Sequence, residues 1–97
     1  MTVDEFAALV QEQQRAETKR RFPESPHMWE EVTRVRPGPK YTKVDVGTSG
    51  KYMIENSTGD IWGIKGYGVV HRGHHYGTLA TVNDYYWGGY VAEPRAS

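Results

Sequence analysis

Three of the chain's four histidines, His71, His74 and His75, fall close together, and metal or proton chemistry is the first thing to test there. On a helix, spacings of three and four would set all three on one face, where they could hold zinc. Gly68, Gly73 and Gly77 argue against a helix, and on a strand His74 would point away from the other two. No cysteine stands anywhere in the chain to complete a tetrahedral site. The expectation is local hydrogen bonding by these histidines, with no metal and no cofactor. Ser49, Ser57, Asp45 and Asp60 are present singly, but no spacing ties a nucleophile to a base, so no catalytic residues are predicted and the chain is not expected to be an enzyme. Gly47 to Lys51 (GTSGK) fails as a phosphate loop. Asp45 and Tyr52 occupy the positions that need glycine and Ser/Thr, and the segment enters a strand rather than a helix. Gly66-Tyr67-Gly68 fails the dinucleotide pattern, because His71 stands where its third glycine belongs.

A second chemistry is better supplied. Lys43, Lys51, Lys65 and Arg72 are interleaved with Tyr41, Tyr67 and Tyr76, and His71 lies among them. Cations alternating with aromatic rings suit backbone phosphates and stacked bases, so these eight residues are the candidate site for nucleic acid or a nucleotide-like anion. Arg34, Arg36 and Lys40 border it. The rival surface is the aromatic run Tyr85, Tyr86, Trp87 and Tyr90, which would form a protein-binding hot spot if exposed and would close the core if not.

Positioning these side chains falls to the stretch Lys51 to Lys65, two runs rich in β-branched and aromatic residues around Asn56-Ser57-Thr58-Gly59. The pattern predicts a β-hairpin, with Gly59 as the left-handed residue closing a three-residue loop. That loop pairs Asn56 with Asp60, Ile54 with Trp62 and Tyr52 with Ile64. Tyr52, Ile54, Trp62 and Ile64 then share one core-building face, while Lys51 stands opposite Lys65 on the other.

Elsewhere, Thr2 and Glu5 form a capping-box pattern that opens a helix running to about Arg21. Val3, Phe6, Ala7 and Val10 make its apolar stripe, which fades into QEQQRAETKRR. The first three turns should dock, with the distal half projecting into solvent or meeting a partner or a second copy. Residues 22–31 read as a linker, broken by Pro23, with a short helical turn opened by Ser25-Pro26 and running through Trp29 and Glu31. Residues 32–92 form the sheet region. Strands are predicted over Val32 to Arg36 and Lys40 to Val46, then bent short strands through the glycine-rich GYGVVHRGHHYG, then a strand over Thr78 to Val82. Residues 93–97 are read as a tail. The sum is one α+β domain, an N-terminal helix with a curled antiparallel sheet built on the central hairpin.

A chain of 97 residues buries one modest core. Without cysteine it needs no oxidising compartment, and no segment is apolar for long enough to be a secretory leader or a membrane span. A cytoplasmic protein with no membrane partner is expected. Net charge is zero, but residues 1–31 carry seven acidic against four basic side chains, and residues 32–97 carry five against eight. That asymmetry permits an anionic partner on the C-terminal part.

The run Lys40 to Leu79, with its KYTKVD, SGKYM, GIKGYG and HYGTL pieces, resembles a family of small uncharacterised proteins encoded by bacteriophages, including those of actinobacteria. The resemblance implies a setting, the cytoplasm of an infected bacterial cell. Small proteins there bind nucleic acid, engage host proteins or blunt host defence. It implies no functional residues.

Overall fold

The computed structural model describes residues 1–26, 32–47, 49–66, 69–89 and 92–95. A helix, α1 (Val3–Arg21), is followed by five strands, β1 (Thr33–Arg36), β2 (Tyr41–Val46), β3 (Ser49–Glu55), β4 (Asp60–Gly66) and β5 (Val69–Thr78). These pair in sequence order as an antiparallel meander that does not close on itself. A 3-10 turn at Val82–Asp84 leads into a small hairpin of β6 (Tyr85–Tyr86) and β7 (Glu93–Pro94). The α+β architecture expected from the sequence is the one observed.

The capping box forms as predicted: the Glu5 amide donates to Thr2 Oγ1 at 3.1 Å and the Thr2 amide to Glu5 Oε1 at 2.9 Å. Phe6, Ala7 and Val10 are buried against one side of the sheet, where Val44, Tyr52, Ile54 and Ile61 complete the core with Val82 and Trp87. The distal half of α1 does not project into solvent as expected. Its polar side chains dock it instead. Gln13 Oε1 accepts the Trp87 amide at 2.7 Å, and Gln14 Nε2 donates to the carbonyls of Trp87 and Gly89. Glu17, 8% exposed, accepts the Tyr86 hydroxyl at 2.6 Å and pairs with Arg20 and Arg21. An apolar stripe cannot reveal such docking, because hydrogen bonds to a passing backbone replace apolar contacts. The helical turn expected through Trp29 and Glu31 lies outside the described residues.

The central hairpin forms, with Gly59 at φ 77° as the left-handed residue. Its register differs by one residue from the expected one. Ile54 faces Ile61, Met53 faces Trp62, and Tyr52 faces Gly63. The loop holds four residues, Asn56 to Gly59, closed by the Gly59 amide donating to the Glu55 carbonyl at 2.8 Å. Since side chains alternate along a strand, the slip exchanges the faces of β4. Ile61 takes the buried place against Ile54, and Trp62 moves to the opposite, outer face. Two further expectations are corrected. The strand predicted over Thr78 to Val82 does not form: Thr78 is the last residue of β5, just after Gly77 at φ 72°, and the chain then turns, with Thr81 Oγ1 accepting the Thr78 amide. Glu93–Pro94, read as tail, pairs with Tyr85–Tyr86.

Candidate functional site

On the outer face, strand pairing aligns one residue from each strand into a continuous row. Arg36 faces Lys43, Lys43 faces Met53, Met53 faces Trp62, and Trp62 faces His75. The row crosses all five strands. Met53 is buried at its centre although it lies outside the main core cluster. Trp62, half-buried, donates its indole Nε1 to Glu55 Oε1 at 3.3 Å and packs on the His75 ring at 4.6 Å. His75 Nε2 meets Asp60 Oδ1 at 2.8 Å, and Asp60 Oδ2 accepts the Thr58 hydroxyl at 2.6 Å. The Thr58 hydroxyl, and after it His75, hold the Asp60 carboxyl below its ordinary pKa.

A break in β5 completes this face. Trp62 and Gly63 are consecutive on β4, yet their partners on β5 are His75 and His71, so Arg72, Gly73 and His74 are inserted without partners on β4. Gly63 makes the insertion fit: a Cβ there would lie 2.9 Å from His74 Cβ. The excursion lets His71 and His74 stack at 4.1 Å and turns Arg72 over the outer face. The Arg72 guanidinium sits 5.1 Å from the Trp62 ring centroid and donates to the Tyr41 hydroxyl, reaching from β5 across to β2. Lys40 Nζ lies 5.5 Å from the Tyr41 ring centroid. Two cations and two aromatic rings thus interlock in the order Lys40, Tyr41, Arg72, Trp62. Among the described residues no carboxylate pairs with Arg72, whereas Arg36 is tied to Asp45 at 2.7 Å.

Of the eight residues singled out from the sequence, the structure brings Tyr41, Lys43 and Arg72 together on this face. Lys65 is exposed towards the end of β4, and Lys51 lines a cavity on the helix side instead of facing Lys65. Tyr76 turns to the core, edge-on to Tyr52 at 5.8 Å and to Trp87 at 6.2 Å. His71 is half-buried in its stack with His74. Tyr67 lies outside the described residues. The rival patch loses its centre: Trp87 is fully buried and donates its indole to the Val82 carbonyl at 2.9 Å, while Tyr85 and Tyr86 are half-buried and Tyr90 lies outside the described residues. Trp62 and His75 are the members of the face that the sequence had not placed there. The signal available was the run Ile61-Trp62, in which a one-residue change of loop length decides which residue is buried.

Among the described residues no group of three or more histidine, aspartate or glutamate side chains is placed to hold a metal ion. No helix among them is long and apolar enough to cross a membrane. Comparison with protein-family models, with curated proteins and with solved structures finds no match.

Proposed function

We propose that the outer face of the sheet binds nucleic acid, single strands in particular, or a nucleotide-like anion, without chemistry on the bound molecule. The observation that carries this is the interlocked group Lys40, Tyr41, Arg72 and Trp62, flanked by Lys43. Phosphates need cations whose charge is not spent on carboxylates, and Arg72 meets that need. Bases stack on aromatic rings and on guanidinium planes, and this group offers both within one patch. The exposed position of Arg72 and Lys40 leaves them open to a ligand. The setting we attach to this activity is an infected bacterial cell, on the resemblance of Lys40 to Leu79 to phage-encoded proteins.

Photocrosslinking tests the location. A short RNA carrying 4-thiouridine, irradiated with the protein and digested, should leave adducts on peptides that contain Tyr41 or Trp62. Adducts absent from both, or confined to the helix side, would refute the assignment.

A further inference from the structure

The outer face carries one group that phosphate binding does not use. Glu55, half-buried, ends β3 and is the direct cross-strand partner of Tyr41 on β2. Residues so paired hold their Cβ atoms about 5 Å apart, so the Glu55 side chain leaves the sheet next to Tyr41. On the β4 side, its Oε1 accepts the Trp62 indole N–H at 3.3 Å. The carboxylate therefore stands inside the group formed by Lys40, Tyr41, Arg72 and Trp62. Negative charge there repels phosphate, so backbone contacts alone do not account for it.

Its bonding capacity is not filled. A carboxylate accepts hydrogen bonds, does not donate them, and offers about four lone-pair sites. Among the described residues no cation forms an ion pair with Glu55, and the only side-chain donor bonded to it is the Trp62 indole. The neighbouring acids differ. Asp60 is taken by Thr58 and His75, and Asp45 by Arg36. A pair of acceptors beside aromatic rings and cations suits a flat base that presents two adjacent donors on one edge. Among the nucleobases guanine does so, through N1–H and its 2-amino group. Uracil offers a single N–H between two carbonyls, while adenine and cytosine set a ring acceptor beside their amino group.

We infer that Glu55 reads the Watson–Crick edge of guanine, so that the outer face prefers single strands that contain this base. The inference rests on the outer face being the binding surface, and adds to it a residue that sets specificity. The base stacks against Tyr41 while Lys40 and Arg72 meet the flanking phosphates. The Trp62 indole holds the carboxylate in place for this contact.

The test is fluorescence anisotropy of the whole chain at low salt, with labelled oligouridines that vary at a single central position: uridine, adenosine, inosine or guanosine. Inosine keeps the O6 and N7 acceptors that an arginine reads but lacks the 2-amino donor. The guanosine strand should bind about tenfold tighter than the adenosine strand, which stacks as well, with inosine between them. Glu55→Gln keeps an oxygen for the indole but replaces the other acceptor with a donor. It should lose the guanosine preference and hold the uridine strand at least as tightly as the parent, since a repelling charge is gone. The comparison of guanosine with inosine is made on the parent, so it stands even if the variant fails to fold. Guanosine bound no tighter than inosine, or a guanosine preference unchanged in folded Glu55→Gln, would overturn the inference. Equal, salt-sensitive binding of every strand would overturn the guanine reading and leave the outer-face assignment standing; no binding of any strand would overturn both.

Discussion

Arg72 is the residue on which the outer face turns, and its chemistry explains why. A guanidinium laid over an indole and bonded to a phenol retains donors for a phosphate, because neither partner neutralises its charge. Its neighbours differ. Arg36 is spent on Asp45, and His75 on Asp60, so those side chains serve the fold more than a ligand. The Asp60 pairing has a pH signature. A carboxyl whose folded pKa lies below its unfolded one contributes stability above about pH 4, and that stability is lost as pH falls through the folded value. Urea unfolding at a series of pH values should therefore show Asp60→Asn losing less stability than the parent below about pH 4. A residual acid limb remains, because Glu5 and Glu17 are also held below their ordinary values, by Thr2 and chiefly by Tyr86. An acid limb identical to the parent's would show that the Asp60 pairing has no weight in solution. The cation–aromatic chemistry of this face was legible in the sequence through Tyr41, Lys43 and Arg72. The Asp60–His75 pair was not, since the two lie on different strands and no sequence spacing joins them.

At the scale of elements, the sequence located the helix, the hairpin and the left-handed Gly59, because capping residues and glycine act locally. It misplaced the register because Asn56 to Gly59 is compatible with a three- or a four-residue loop that uses the same glycine. Size favoured Trp62 for the core. The structure buries Ile61 instead, and the indole finds its place on the far face, against His75 and Arg72. The insertion in β5 was equally out of reach: Gly73 announced a bend, but the length of the excursion depends on room made by Gly63 on another strand. Gly63→Ala should therefore cost about 1–3 kcal/mol through a clash with His74. It should also move the Arg72 side chain off Trp62. A thermal melt and the tryptophan fluorescence of the variant report both effects; a parent-like melt would mean that the insertion does not depend on this glycine.

For the molecule as a whole, the sheet divides two environments. One side is covered by α1 and closed by Trp87, which packs on Phe6 at 4.8 Å and Tyr52 at 5.2 Å. The other is the cation–aromatic face. Two tryptophans mark the two sides, so their removal should separate stability from binding. Trp87→Ala should cost roughly 3–5 kcal/mol, the loss of a fully buried aromatic. Trp62→Ala should cost clearly less and fall mainly on oligonucleotide affinity. Equal costs for the two in denaturant unfolding would contradict this division.

The most direct test of the binding proposal is the salt dependence of affinity for an unstructured single-stranded oligonucleotide, measured by fluorescence anisotropy. Binding through phosphates releases counterions, so log affinity should fall linearly with log salt concentration. In a folded Lys43→Gln, Arg72→Gln double variant, affinity should drop and the slope should shrink by roughly 1.4, about 0.7 for each lost phosphate contact on a single strand. No binding by the parent at low salt, or the same slope in parent and double variant, would contradict the account.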